Sequence, residues 1–135
     1  MQKNALMVKS LDTNHPVASS LGEINQPTTA DVNTIVNTTC AAVDVWGANI
    51  YRGASFYTLF TDWQAISSKP LYVAEFGVDD FYTTSQSPVS GYEDQADQAS
   101  WDHSLWLSMS QNLSANDPTK ACVGGTVFEW NDEWW

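Results

Sequence analysis

One carboxylate in the sequence stands where a charge is costly. In the stretch KPLYVAEFG, residues 69–77, the apolar run Leu71–Ala74 is typical of a buried strand, and Glu75 follows it directly. A carboxylate at the end of a buried run must be paired or put to use. Used as a nucleophile, Glu75 must be ionised, and a nearby phenol O–H would stabilise that charge. Paired, it would bind Arg52 or cap a backbone turn, and the residue types alone leave both interpretations open.

Other residues suited to chemistry also follow predicted strands. Asn49 and Tyr51 share one face of their strand, because side chains alternate along a strand. Either residue could instead be ordinary packing at a strand end. The carboxyl ends of parallel strands meet at one edge of a sheet, where ligands bind, so these residues predict a site. They are Glu23, Asn49, Tyr51, Arg52, Glu75, Glu129, Trp130, Asn131 and Asp132.

The elements that would position these residues alternate between strands and helices. An N-terminal helix ending near residues 12–14 precedes four predicted strands, at about 16–23, 43–51, 70–76 and 121–130. Helices are expected between them, starting near Thr28, Ser55 and Glu93, and a long loop is expected over residues 78–91. This alternation indicates an α/β fold with parallel strands and right-handed crossovers. Four such units fit a small open sheet or half of a (β/α)8 barrel, in a single domain over residues 1–135.

Side-chain alternation predicts which residues would point into a barrel. Leu71, Val73 and Glu75 are two residues apart, so they are expected on the same strand face, with the carboxylate at the rim of the apolar interior. A half-barrel monomer would then expose Leu71 and Val73. The helix–sheet core is expected to hold four tryptophans: Trp46, Trp63, Trp101 and Trp106.

The charge balance narrows the class of ligand. Sixteen acidic residues face five basic ones, for a formal net charge of −11, and Arg52 is the one arginine. Nucleic-acid binding needs a basic patch, so no nucleic-acid partner is expected. Seven tryptophans in an acidic chain suit a neutral polar ligand better.

Few other features point to a cofactor or a membrane. Cys40 and Cys122 lie far apart in apolar surroundings, which fits buried free thiols, although a single disulfide is also open. His15 and His103 stand alone, so no metal and no cofactor are expected. No run reaches transmembrane length. The first twelve residues lack the apolar region of a signal peptide, so the chain is expected to stay in the cytoplasm where it is expressed.

Three segments carry a resemblance to a known family: DVWGANIYRG, KPLYVAEFG and GGTVFEWNDEWW. Together they resemble strands five to eight of a (β/α)8-barrel glycoside hydrolase of the large retaining clan that includes cellulases, β-glucanases and β-galactosidases. The resemblance implies that Glu75 is the nucleophile ending strand seven. It further implies that Tyr51 hydrogen-bonds this nucleophile and that Trp130, or else Trp134, floors the sugar site.

The resemblance also implies a second carboxyl group, which this chain does not place as the clan does. In that clan the general acid/base follows an Asn at the end of strand four, and no Asn-Glu pair occurs here. Retaining glycosidases need two carboxyl groups about 5–5.5 Å apart. Glu23, Glu129 and Glu133 are the candidates to stand in. The expected catalytic residues are therefore Glu75, Tyr51 and Glu129, and the expected substrate-binding residues are Asn49, Arg52, Trp130 and Glu23.

The expected function is hydrolysis of a β-linked glucan-like carbohydrate. Four curved strands would leave two open edges, which act as templates for pairing. A homodimer or higher homo-oligomer that closes the half-barrel is therefore expected, and a partner subunit could supply the missing acid. The absent acid/base favours two alternatives, a carbohydrate-binding module that does not cleave and an inert half-barrel fragment.

Overall fold

A computed structural model of the protein describes residues 1–24, 30–84 and 87–129. Within these residues four parallel strands alternate with helices, so the fold is mixed α/β as predicted. The helices are α1 (Gln2–Leu11), α2 (Ala30–Thr34, continued by a π-helical turn over Ile35–Thr39), α3 (Leu59–Ile66) and α4 (Gln95–Ser110). The strands are β1 (Ala18–Leu21), β2 (Val45–Asn49), β3 (Leu71–Phe76), β4 (Phe81–Thr84), β5 (Ser87–Glu93) and β6 (Cys122–Val127).

The parallel sheet has its strands side by side in chain order, β1-β2-β3-β6. Because strand-to-strand crossovers are right-handed in nearly all proteins, this order carries the connecting helices on one face. Five buried apolar side chains of the strands share that face: Trp46, Ala48, Leu71, Val73 and Cys122. They pack with the apolar residues of α3 and α4, Leu59, Phe60, Trp63, Leu105 and Met109. The described part of the chain therefore holds its core between the helices and one face of the sheet.

The opposite face of the sheet carries small and polar residues. A Cβ at Gly47 would lie 3.1 Å from Ser20 Oγ and 3.4 Å from Ala74 Cβ, so these three residues share that face. The Tyr72 hydroxyl contacts Thr126 Oγ1 on the neighbouring strand of the same sheet. Ser20 and Thr126 are exposed. This face, defined by Ser20, Gly47, Tyr72, Ala74 and Thr126, is called the uncovered face below.

The prediction that Leu71 and Val73 point into a barrel and are exposed is wrong. Both side chains are fully buried on the helix-covered face. An irregularity in the pairing of β3 with β6 between Val73 and Phe76 breaks the period of two, so Phe76 turns into the core. Glu75 instead pairs in register with Asn49. Alternation therefore grouped Leu71 with Val73 correctly, but the face predicted for the pair was wrong, and the grouping failed at Glu75, where the pairing is irregular.

The loop predicted over residues 78–91 is also wrong in part, because β4 and β5 form an antiparallel hairpin there. The abundance of Ser, Thr, Asp and Tyr in this stretch indicated a loop, but its aromatic and β-branched residues favour strands. The hairpin needs Gly91, since a Cβ there would lie 2.2 Å from the Tyr82 carbonyl oxygen.

Helix starts and tryptophan burial were predicted less well. Ser55 does not cap α3. Its hydroxyl accepts from the Tyr57 N–H, and Thr58 is the N-cap residue. Trp46 and Trp63 are fully buried as predicted, but Trp106 is 49% exposed, so its assignment to the core is wrong. The predicted capping box at residues 28–31 begins outside the described residues. Within the described residues no helix is both long enough and apolar enough to cross a membrane.

Candidate functional site

Glu75 lies at the carboxyl edge of the sheet, near the end of β3. Its backbone carbonyl accepts from the Ile50 N–H at 2.8 Å, which continues the β2–β3 pairing just past the end of β2. This bond brings Tyr51, the next residue, over the end of β3. The half-buried Asn49 lies in register with Glu75. The Ser20 hydroxyl lies 3.4 Å from Asn49 Oδ1. The predicted meeting of Asn49, Tyr51 and Glu75 at one edge therefore occurs.

The Tyr51 hydroxyl donates a hydrogen bond to Glu75 Oε2 at 2.8 Å. The pKa of Tyr51 is raised well above its ordinary value, first by burial of the phenol and then by this bond. The negative charges of Glu75, Asp79 and Glu129 raise that pKa further. Tyr51 therefore stays protonated and can act only as a donor toward the carboxylate. Its electrostatic neighbours also show that Asp79 and Glu129 act at the same edge as Glu75.

Arg52 is held by Glu23 rather than by Glu75. Its Nε donates to Glu23 Oε1 at 2.9 Å, its Nη2 lies 2.8 Å from the same oxygen, and Nη2 also donates to the Ile24 carbonyl. Glu23 Oε2 accepts from the Tyr51 backbone N–H at 3.2 Å. The alternative in which Glu75 is the structural partner of Arg52 is therefore wrong. Both oxygens of Glu23 are instead engaged in joining the ends of β1 and β2.

The end of β6 reaches the same edge. The Phe128 N–H donates to the Phe76 carbonyl at 2.7 Å, so β3 and β6 stay paired one residue past the end of β6. Glu129 follows and is half-buried. The remaining residues that were expected at this strand end lie outside the described residues: Trp130, Asn131, Asp132, Glu133 and Trp134.

The sequence analysis missed Asp102, which α4 brings against the ends of β3 and β6. Its Oδ1 is buried without a hydrogen-bond partner among the described residues. This oxygen lies 3.5 Å from where a Cβ would stand at Gly77, just after β3. Burial raises the pKa of the Asp102 carboxyl above its ordinary value. A signal existed, since Asp102 precedes the buried Leu105 by three residues and so shares its helix face.

A second polar concavity lies at the opposite edge, between the end of α1 and the start of β2. Its charged groups are already paired. Lys9 Nζ lies 2.5 Å from Asp44 Oδ1, and His15 Nδ1 lies 2.7 Å from Asp12 Oδ2. Ligands of parallel sheets bind at the carboxyl edge, and this concavity is at the amino edge. The edge that carries Glu75 is therefore the candidate site.

The described side chains and the comparisons with known proteins assign neither a metal ion nor a family to this site. Among the residues that the structure describes, no group of three His, Cys, Asp or Glu side chains could hold a metal ion. The chain matches no protein-family model, and no curated protein or solved structure matches it significantly. Any function must therefore be argued from the geometry of the site and from the residues themselves.

Proposed function

We propose that the protein hydrolyses β-linked, glucan-like carbohydrate by a retaining mechanism with Glu75 as the nucleophile. The observation that carries this proposal is the 2.8 Å hydrogen bond from the Tyr51 hydroxyl to Glu75 Oε2 at the carboxyl edge of a parallel sheet. A donor held on one carboxylate oxygen stabilises its charge and leaves the other oxygen for attack. The resemblance to the retaining glycosidase clan supports the same assignment.

In this mechanism Glu75 attacks the anomeric carbon while a second carboxylic acid donates a proton to the leaving oxygen. The resulting glycosyl–enzyme ester is then hydrolysed by water, which the second residue deprotonates. Glu129 is the better candidate for that role. It follows the end of β6, the strand next to β3, and acts electrostatically on Tyr51, whereas both oxygens of Glu23 are occupied.

The proposed architecture is half of a (β/α)8 barrel. The chain-order arrangement of the strands and the gathering of the core on one face support it. Among the described residues β1 and β6 are the edge strands of the parallel sheet, and an edge strand is a template for a further strand. We propose that a second copy of the chain covers the uncovered face, which is defined by small and polar residues, although the net charge of −11 on each copy opposes association.

The nucleophile is tested by hydrolysis of an activated aryl β-glycoside. Glu75→Gln should lose at least about a hundredfold in kcat, because an amide cannot form the ester intermediate. Tyr51→Phe should lose less, because it removes a supporting hydrogen bond. Asp31→Asn, the same acid-to-amide replacement at an exposed position of α2, is the control and should keep the wild-type rate. Equal rates for wild type and Glu75→Gln would contradict the assignment.

The oligomer is tested by light scattering at micromolar concentration. Ser20→Glu places a charge on the uncovered face and should shift a dimer to monomer. Ser100→Glu, at an exposed position of α4, adds the same charge elsewhere and should leave the dimer intact. A monomeric mass for the wild type would contradict the second-copy arrangement.

A second function, carbohydrate binding without cleavage, is favoured by the engagement of Glu23 with Arg52 and the Tyr51 backbone. If Glu129 does not act as the acid, the same edge would bind a sugar chain and leave it intact. Calorimetry with β-linked oligosaccharides, combined with the absence of any turnover, would identify this function. The absence of both heat and turnover would contradict both proposals.

A further inference from the structure

Two tyrosines stack face to face on the β4–β5 hairpin. The ring centroids of Tyr82 and Tyr92 lie 5.5 Å apart, and the ring planes are inclined by 25°. The two residues are register partners across the hairpin. Tyr92 is 59% exposed. Since Tyr82 covers one face of the Tyr92 ring, the other face of that ring is turned to solvent.

The ring of Tyr82, the less exposed tyrosine of this pair, is anchored to α4. The Tyr82 hydroxyl donates to Asp97 Oδ2 in the first turn of α4, and this bond raises the pKa of Tyr82 to about 12. The Asp97 N–H in turn donates to the Asp94 side chain at 2.9 Å. The Asp94 N–H donates to the Asp80 carbonyl, which ties the helix start to the hairpin base. The exposed ring is thus pre-positioned, and a ligand that stacks on it immobilises little.

The hairpin directly follows β3, the strand that carries the proposed nucleophile. Phe81, its first residue, follows Glu75 by six positions, which bounds the separation at about 20 Å. Asp79, in the connection, acts electrostatically on Tyr51. Apart from Trp106 on α4, the exposed aromatic side chains of the described residues lie at this edge. They are Tyr51, Tyr57, Phe81, Tyr92 and Phe128. An extended ligand with one ring at Glu75 can therefore reach Tyr92.

We propose that the exposed face of Tyr92 is a stacking platform for a neutral carbohydrate chain whose reacting ring lies at Glu75. This inference rests on the proposed function and extends it, because it makes the substrate a polysaccharide rather than a small glycoside. An aromatic face attracts an apolar face of a sugar ring. The connection to the hairpin and the start of α4 are acidic in sequence: Asp79, Asp80, Glu93, Asp94 and Asp97. Their negative charge repels a phosphate-bearing chain and does not repel a neutral carbohydrate.

The test is calorimetric titration with a β-linked gluco-disaccharide and a gluco-hexasaccharide. All variants are made in the Glu75→Gln chain, so that the ligand stays intact. Tyr92→Leu, which keeps an apolar residue but removes the flat ring, should weaken hexasaccharide binding about three- to tenfold. Its affinity for the disaccharide should not change. Tyr92→Phe should bind as the parent does, and Trp106→Leu, a control at another exposed aromatic, should also match the parent.

Each outcome separates this inference from the proposed function. Unchanged hexasaccharide affinity in Tyr92→Leu, an equal loss for both ligands, or no binding by the parent would overturn the platform. A parent that binds neither ligand, in a protein whose wild type turns over the aryl glycoside, would leave the nucleophile standing without the platform. A selective hexasaccharide loss in Tyr92→Leu, with full hydrolysis by Glu75→Gln, would leave the platform without the nucleophile. Far-UV circular dichroism confirms that each variant is folded.

Discussion

The buried carboxyl group of Asp102 leads to a stability prediction that can be tested without any ligand. Asp102→Asn keeps the shape of the side chain and removes its ability to ionise. The buried Oδ1 of Asp102 has no hydrogen-bond partner among the described residues, so the ionised carboxylate is buried without compensation, and a neutral amide removes that charge penalty, which is on the order of 1–3 kcal/mol. The rest of the residue is only half-buried, so we expect a gain near the lower bound, about 1 kcal/mol at neutral pH.

The direction of the pKa shift of Asp102 determines how the stability gain from Asp102→Asn changes with pH. Burial raises the folded-state pKa of Asp102 above the ordinary value of 3.8. Between the unfolded and folded pKa values the folded chain holds more protons, so the contribution of Asp102 to the free energy of unfolding falls as pH rises. The cost is absent below the unfolded pKa and complete above the folded pKa. The gain from Asp102→Asn should therefore be small at about pH 3 and full at about pH 7.

Urea unfolding followed by tryptophan fluorescence measures this difference at both pH values. Asp31→Asn, at an exposed position of α2, removes the same charge and controls for the general repulsion in an acidic chain. A gain from Asp102→Asn that is equal at both pH values would refute the reasoning. So would a gain no larger than that of Asp31→Asn, or a loss of stability at neutral pH.

Three further predictions concern packing and charge. Gly77→Ala should destabilise the fold by about 2 kcal/mol or more, because its Cβ would lie 2.2 Å from the Phe128 carbonyl oxygen at a φ of +152°; an unchanged urea midpoint would contradict this. The bond from Lys9 lowers the pKa of Asp44. Lys9→Met should therefore lower the free energy of unfolding by less than about 1 kcal/mol at neutral pH, and should not change it at a pH where Asp44 is protonated in both the folded and the unfolded state. A loss of stability that persists in urea titrations at that low pH would argue against the pair. Burial raises the pKa of the Cys122 thiol, so a disulfide reagent should label Cys122 only after unfolding, and stoichiometric labelling of the folded chain would disprove this.

The alternation of strands and helices was readable from the sequence. Each strand of the parallel sheet lies within its predicted range, because β-branched and apolar runs such as Leu71–Phe76 are too short for a helix and too apolar for a loop. The β4–β5 hairpin was not predicted, because its polar residues have the composition of a loop. Its pairing depends on contacts between two segments, which composition does not describe.

The candidate site was predicted in part, for a similar reason. That Asn49, Tyr51 and Glu75 meet follows from their positions after neighbouring parallel strands, which the topology forces to one edge. Arg52 was considered only as a partner of Glu75, because the sequence does not show which acid at this edge lies within reach of the guanidinium group. The geometry of the β1 and β2 ends decides for Glu23. Asp102 was missed because its helix carries many polar residues, and its burial depends on how α4 docks.

The sequence by itself determined the order and type of the elements of the parallel sheet, the acidic surface and the position of Glu75 at the end of a strand. These are local properties, set by side-chain preference, periodicity and charge along the chain. Tertiary structure decided which face of β3 is buried, which acid Arg52 binds and which tyrosine of the Tyr82–Tyr92 pair is exposed. A register irregularity between Val73 and Phe76 is enough to turn a side chain to the other face. Such an irregularity arises from the pairing of strands distant in sequence, and no single segment encodes it.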